Sequence, residues 1–209
     1  MTTTRLIIAR HGNTFNSGEP PRRVGAHTDL PLVESGRAQA QALGKHLKEQ
    51  GLIPDLCFSS QQRRAIETAE LALDAMDRRL KPTPLAALNE LDYGPDENQT
   101  EDRVVARIGA QALKDWDERA LVPPGWKIDS ETLKNFWLEF SGSLVEKQPG
   151  KTILVVTSNG TARFAPHITG SYESFSARFS LKLATGAYGI INHDDKTWQG
   201  ICWNVRPVA

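Results

Sequence analysis

The sequence predicts an α/β protein: a three-layer α/β/α sandwich around a mostly parallel sheet, with a C-terminal edge hairpin. Three observations predict it. Residues 6–9 and 152–157 are short apolar runs, rich in β-branched side chains and without polar alternation, as expected of strands buried on both faces. The segments between the strand runs space their apolar residues three and four apart, the period of a helix with one buried face. Near the C-terminus, residues 187–192 and 197–204 flank the polar turn His193-Asp194-Asp195-Lys196, as in a hairpin.

In chain order, the first strand runs into a polar, Gly- and Pro-rich loop over residues 12–32. Ordered loops of that length tend to carry function. Glu34 or Ser35 is placed to cap a helix to about residue 49, with Ala38, Ala42, Leu43 and Leu47 as its apolar stripe and Gly51 at its end. Leu56, Cys57 and Phe58 form a second strand, after which Ser59 or Ser60 can cap a helix carrying Ala65, Ala69, Ala72 and Leu73. Pro82 and Pro84 punctuate the chain before residues 85–91. One charged helix is predicted over 100–119 and another over 129–146, the latter with Leu133, Phe136, Trp137, Phe140 and Leu144 at helical spacing. Pro149-Gly150 turns the chain into the clearest strand, 152–157, and a short helix follows Asn159.

Composition narrows the function classes. The chain has 209 residues, enough for one domain or a small pair, and a 39% hydrophobic fraction that can build a core without disulfides or metals. Lys plus Arg is 25 and Asp plus Glu is 25, which argues against a broad nucleic-acid surface while allowing a local basic pocket. Cys57 and Cys202 both sit among apolar residues and read as inert buried thiols. The apolar stretch after Arg5 ends at Arg10, too short for a signal peptide or a membrane span, so the expected location is the cytoplasm, with no membrane partner. Asn98 and Asn159 match the glycosylation pattern but carry no weight without a secretory signal. The Gly-x-Ser-x-Gly, phosphate-loop, dinucleotide-binding, His-Glu-x-x-His and paired-cysteine patterns are all missing, so no metal or other cofactor is expected.

In open α/β sheets, ligands collect beyond the carboxyl ends of the strands, and three such ends carry chemistry. At the first, Arg10-His11-Gly12 combines a guanidinium fork suited to phosphate oxygens, a ring nitrogen able to act as a nucleophile, and a residue permitting close backbone approach. At the second, Arg63 and Arg64 are both candidates, and as neighbours on a helix they point about 100° apart. Thr68 is placed to support whichever of them faces inward. At the third, Ser158 and Asn159 begin a helix whose free N–H groups attract anions. Glu90 and Asp92, between the second and third ends, are candidate general acids. Trp116, Trp126, Trp137 and Lys127 read mainly as core and surface, with a substrate mouth as the other possibility.

Together these pieces resemble the histidine phosphatase superfamily, the group that includes cofactor-dependent phosphoglycerate mutases. Arg10 to Asn16 looks like its opening Arg-His-Gly motif. Residues 28–36 are similar to the segment entering its first helix, 59–69 to its Ser-Ser…Arg-Ala…Thr-Ala motif, and 88–94 to its proton-donor segment. The resemblance implies one phosphoglycerate mutase-like domain over 1–209 with a variable helical segment at about 95–150. It selects Arg64 over Arg63 and Glu90 over Asp92. It implies that His11 attacks phosphorus and Glu90 protonates the leaving oxygen, while Arg10, Arg64, Asn16, Ser158 and Asn159 hold the phosphoryl group of a small phosphorylated metabolite. The chain departs from the family where a second histidine is expected: Ser158 stands in its place. A neutral hydroxyl is a weaker donor than imidazolium, and losing one preorganised donor typically costs about a hundred- to a thousandfold in rate. The expectation is therefore a phosphomonoester hydrolase of reduced power. Mutase-like phosphotransfer and non-catalytic phospho-ligand binding are the alternatives.

Overall fold

The computed structural model describes residues 3–194 and 196–208, so Asp195 of the predicted hairpin turn lies outside the described residues. Six strands form one sheet in the order β3-β2-β4-β1-β5-β6: β1 is Thr4–Arg10, β2 Leu56–Ser59, β3 Thr83–Pro84, β4 Thr152–Thr157, β5 Tyr188–His193 and β6 Trp198–Val205. The first four run parallel, and β5 and β6 add an antiparallel hairpin beside β1. This is the predicted architecture, mostly parallel with an edge hairpin.

The two faces of the sheet carry separate cores. Ile7 and Ala9 of β1 and Leu154 and Val156 of β4 pack against α1 (Glu34–Glu49) and α2 (Arg63–Ala75) through Leu43, Leu47, Ala65, Ala69 and Ala72. Leu6, Ile8, Ile153 and Val155 face the other way. They meet the layer built by α3 (Glu101–Ile108), α4 (Ala110–Arg119), α5 (Ser130–Lys147), α6 (Asn159–Ala162) and α7 (Tyr172–Arg178), where Trp116 of α4, Trp137 of α5 and Phe164, just after α6, are almost fully buried. Adjacent strand residues point to opposite faces, so a strand covered on both must be apolar throughout.

Several local expectations are corrected. The predicted helix over 100–119 is two helices, broken at Gly109, whose φ of +84° and ψ of 152° lie where only glycine is comfortable. Neither Ser59 nor Ser60 caps α2, because a short bend follows β2 and the helix begins later, with Gln62 at the N-cap position. Val33, not Glu34 or Ser35, precedes α1. Gly51, at φ +66°, does follow that helix. Asp129 caps α5 through the N–H groups of Glu131 and Thr132. Both cysteines are free thiols; Cys57 is buried and its pKa is pushed up to about 12, whereas Cys202 is half-buried. Among the described residues no helix is long and apolar enough to cross a membrane.

Candidate active site

Because β1, β2 and β4 are parallel, their carboxyl ends share one edge of the sheet. Arg10 pairs with Thr157 and Ser59 with Val156. A cavity of about 910 Å³ opens there, lined by Arg10, His11, Glu90, Tyr93 and Asn159, with the 13–24 loop and Trp116 forming its walls.

His11 is 5% exposed and held at both ring nitrogens. Nδ1 lies 2.8 Å from the Gly12 carbonyl oxygen, to which it donates, and Arg64 Nε donates to Nε2 over 3.1 Å. That pattern makes Nε2 the unprotonated nitrogen, its lone pair accepting from Arg64. Burial, followed by the charges of Arg64 and Arg10, holds the His11 pKa well below the ordinary histidine value. The ring is therefore neutral at pH 7, the form that can attack.

The neighbouring backbone sets the ring's place. The N–H of Gly12 donates to Thr68 Oγ1, which itself donates to the Arg64 carbonyl. Thr68 thus ties the β1 loop to α2. A Cβ on Gly12 would collide with the Gly36 backbone, so this approach of loop to helix requires glycine. The β5 side contributes as well: Gly186 N–H donates to the carbonyls of Arg10 and His11, and the Leu183 carbonyl accepts Arg10 Nη1 at 2.9 Å.

Arg64 is fully buried, whereas Arg63 is exposed. Arg64 Nη1 donates to the Thr28 carbonyl and Nη2 to Gln62 Oε1, both at 2.9 Å. Burial lowers the pKa of Arg10 and of Arg64, and Glu90 supplies the largest opposing charge in both cases. Glu90, 7% exposed, faces the cavity with its oxygens accepting from Leu91 N–H at 3.0 Å and Gly160 N–H at 3.2 Å. Asp92 turns away to His27 and Lys127. The 88–90 segment is fixed by Thr157 and Thr161, whose hydroxyls donate to the carbonyls of Leu88 and Asn89.

The remaining expected residues are placed differently from one another. Asn159 lines the cavity, its Oδ1 accepting the Leu183 N–H. Asn16 lies exposed on the rim, bonded to Glu19. Ser158 is fully buried and does not line the cavity; its Oγ has no partner among the described residues, and neither has Arg10 Nε. Of the tryptophans, Trp116 forms cavity wall as well as core, while Trp126 and Trp137 are core.

Four residues have places in the site that the sequence does not assign them. Tyr93 lines the cavity, and burial together with Glu90 raises its pKa, so its hydroxyl keeps its proton. Gln62 bridges Arg64 and Glu90. Arg23 stacks over Tyr93 and Trp126 at 5.2 and 4.8 Å and pairs with Glu101, which docks the 13–24 loop on α3. Arg163, also fully buried, joins the other wall through Asp117 and the Trp116 carbonyl.

One group of potential metal ligands exists among the described residues: His27, Asp92 and Glu97, with ligand atoms within 4.8 Å of one another. Most of these atoms are already engaged, although Glu97 Oε2 is buried without a hydrogen-bond partner among the described residues. His27 Nε2 meets Asp92 at 3.1 Å, and Glu97 Oε1 accepts the His27 N–H and the Thr28 hydroxyl. The cluster holds the loop whose Thr28 carbonyl positions Arg64.

The family model of the histidine phosphatase superfamily (branch 1) matches residues 6–206. A 2,3-bisphosphoglycerate-dependent phosphoglycerate mutase of Bifidobacterium longum is 34% identical over 123 residues, covering 58% of this chain and 49% of the mutase. A mutase of the same description from Nocardioides is 32% identical over 79% of this chain and 65% of its own length. The chain thus spans about half to two thirds of these curated relatives. Among solved structures, the α-ribazole phosphatase of Shigella flexneri superposes with a TM-score of 0.71 at 25% identity, covering 98% of each chain. A mycobacterial glucosyl-3-phosphoglycerate phosphatase reaches 0.79 at 22% identity, over 96% of this chain and 98% of its own, a likeness of fold.

Proposed function

The chain belongs to the histidine phosphatase superfamily, and from that premise we propose that it is a phosphomonoester hydrolase working through a phosphohistidine on His11. The observation that carries this reading is the fixed, neutral imidazole. Nδ1 is committed to the Gly12 carbonyl, and Nε2 accepts from the buried Arg64, beside a cavity lined by His11, Arg10 and Glu90.

In this reading, Arg10 and Arg64 hold the phosphoryl oxygens. Arg10 Nε, a buried donor without a partner among the described residues, supplies a further hydrogen bond of the kind such oxygens accept. His11 Nε2 forms a bond to phosphorus as the phosphorus–oxygen ester bond breaks. The leaving oxygen takes its proton from the Glu90 carboxyl. The resulting carboxylate then draws a proton from water as that water attacks phosphohistidine, releasing inorganic phosphate and restoring the ring. Phosphoryl transfer depends mostly on positioning and on charge stabilisation, which this site offers. Ser158 in place of a cationic donor lowers the expected rate.

Two other readings each have a specific observation behind them. The Bifidobacterium and Nocardioides relatives favour mutase-like transfer between hydroxyls of one substrate. Ser158 favours a phospho-ligand-binding protein. The substrate in all three is a small phosphorylated metabolite. Phosphate release from an aryl phosphate by wild type, absent in His11→Ala and accompanied by an acid-labile phosphorylated His11, is the expected result. Equal background rates for the two proteins would falsify the hydrolase reading. A screen of phosphorylated metabolites with the same trapping readout then identifies the substrate.

A further inference from the structure

Gln62 is 5% exposed and occupies the N-cap position of α2, yet its side chain does not cap that helix. It bonds instead to Arg64 of the same helix and to two other segments. Its Oε1 accepts Arg64 Nη2 at 2.9 Å and the Glu90 backbone N–H at 3.0 Å. Its Nε2 donates to the Gly25 carbonyl at 3.0 Å. The amide orientation is unambiguous, since two N–H donors converge on the oxygen and a carbonyl faces the nitrogen.

A single oxygen atom therefore fixes the guanidinium of Arg64 relative to the main chain of Glu90. The other end of the amide anchors the 25–28 loop, whose Thr28 carbonyl holds Arg64 Nη1. Gln61 adds a parallel tie, its N–H donating to Asn89 Oδ1 at 2.8 Å. No other side chain among the described residues accepts hydrogen bonds from both Arg64 and Glu90. We propose that Gln62 is the positioning residue that sets the distance between the phosphate-holding arginine and the proton donor. This rests on the hydrolase reading above.

A consequence separates this role from ordinary structural support. Arg64 keeps its Thr28 and His11 contacts without Gln62, so phosphate is still held; what loosens is the alignment of Glu90 with the leaving oxygen. An alkyl phosphate leaves as a poor alkoxide and depends on that proton, whereas an aryl phosphate depends on it far less. General acid catalysis is typically worth about a hundred- to ten-thousandfold, and a misplacement of about 1 Å can remove much of it.

The test compares Gln62→Met, which keeps the side-chain volume and removes both amide ends, with Gln62→Glu, which keeps an acceptor oxygen for Arg64 and Glu90. Turnover of one alkyl and one aryl phosphate, inhibition by inorganic phosphate and thermal melting are measured on the full chain. The expected result is that Gln62→Met loses about tenfold more kcat on the alkyl ester than on the aryl ester. Inhibition by inorganic phosphate should stay close to wild type, and Gln62→Glu should return the alkyl-to-aryl ratio toward wild type. Equal losses on both esters, or no rescue by Gln62→Glu, overturn the positioning role while leaving the hydrolase reading intact. A wild type that releases phosphate no faster than His11→Ala overturns the hydrolase reading, and this role with it. If Gln62→Met does not melt cooperatively, the ratio for Gln62→Glu decides alone: near wild type supports the role, and a selective alkyl loss opposes it.

Discussion

At the residue scale, Gly160 shows how little room the Glu90 side of the cavity has. Its N–H donates to Glu90, and a Cβ there would overlap the Glu90 carboxylate and lie 2.6 Å from the Tyr93 hydroxyl. Gly160→Ala is expected to displace Glu90 and lower kcat on an alkyl phosphate by about tenfold to a hundredfold. Phosphate inhibition should barely change, because Arg10 and His11 are not touched; steady-state kinetics with inorganic phosphate as competitor checks both. Residues of this kind divide sharply in how legible they are. Arg10, His11 and Gly12 are contiguous, and their chemistry is visible in a line of text. The choice of Arg64 over Arg63 follows from motif register, and it agrees with the burial of one and the exposure of the other. Gln62 and Tyr93 lie inside the motif segments 59–69 and 88–94, but nothing local assigns them a role, because those roles exist only where segments distant in sequence converge.

At the element scale, the agreement follows the burial of each segment. The predicted strand 152–157 coincides with β4, since a continuous β-branched run covered on both faces has no other reading. The charged stretch 100–119 is ambiguous in sequence because a lone glycine is tolerated in a helix as readily as it breaks one. The break lets Val104 and Trp116 both join the same core, with Trp116 also forming cavity wall. A Cβ added at Gly109 would meet no atom within 4 Å, so substitution there tests backbone strain alone. Gly109→Ala is expected to destabilise the fold by about 1–3 kcal/mol, measured by denaturant unfolding. A loss of less than about 0.5 kcal/mol would mean that the α3–α4 junction relaxes into an ordinary helix. The α7 helix is not legible in the sequence because its seven residues are too few to establish a period.

At the scale of the whole molecule, the buried neutral histidine couples stability to pH. The His11 pKa in the folded chain is lowered from 6.5, so below about pH 6.5 the unfolded chain binds a proton that the folded one refuses. Stability from this group is therefore complete above that value and is lost as pH falls toward the folded pKa. Replacing His11 with alanine removes the effect. The melting temperature of His11→Ala relative to wild type should rise steadily between about pH 7 and pH 5. A difference that stays constant over that range would mean that the ring takes up its proton as freely as in an unfolded chain. The three-layer architecture itself is legible from strand and helix periodicity, because layer order depends on patterns that repeat along the chain. The site's closure is not: it depends on the 183–187 segment meeting Arg10 and Asn159, contacts separated by up to 173 residues.

The position of β1 in the sheet also bears on how the molecule comes into being. Of the six strands it is made first, yet it lies between β4 and β5, which are encoded from Thr152 onward. On the ribosome, a nascent chain shorter than that offers Leu6, Ile7, Ile8 and Ala9 with neither neighbour available. Strand pairing over such separations is slow, and an unpaired apolar strand invites association with other chains. Until β4 and β5 emerge, β1 is a segment for a chaperone to shield, and His11 at its end has no finished site to occupy.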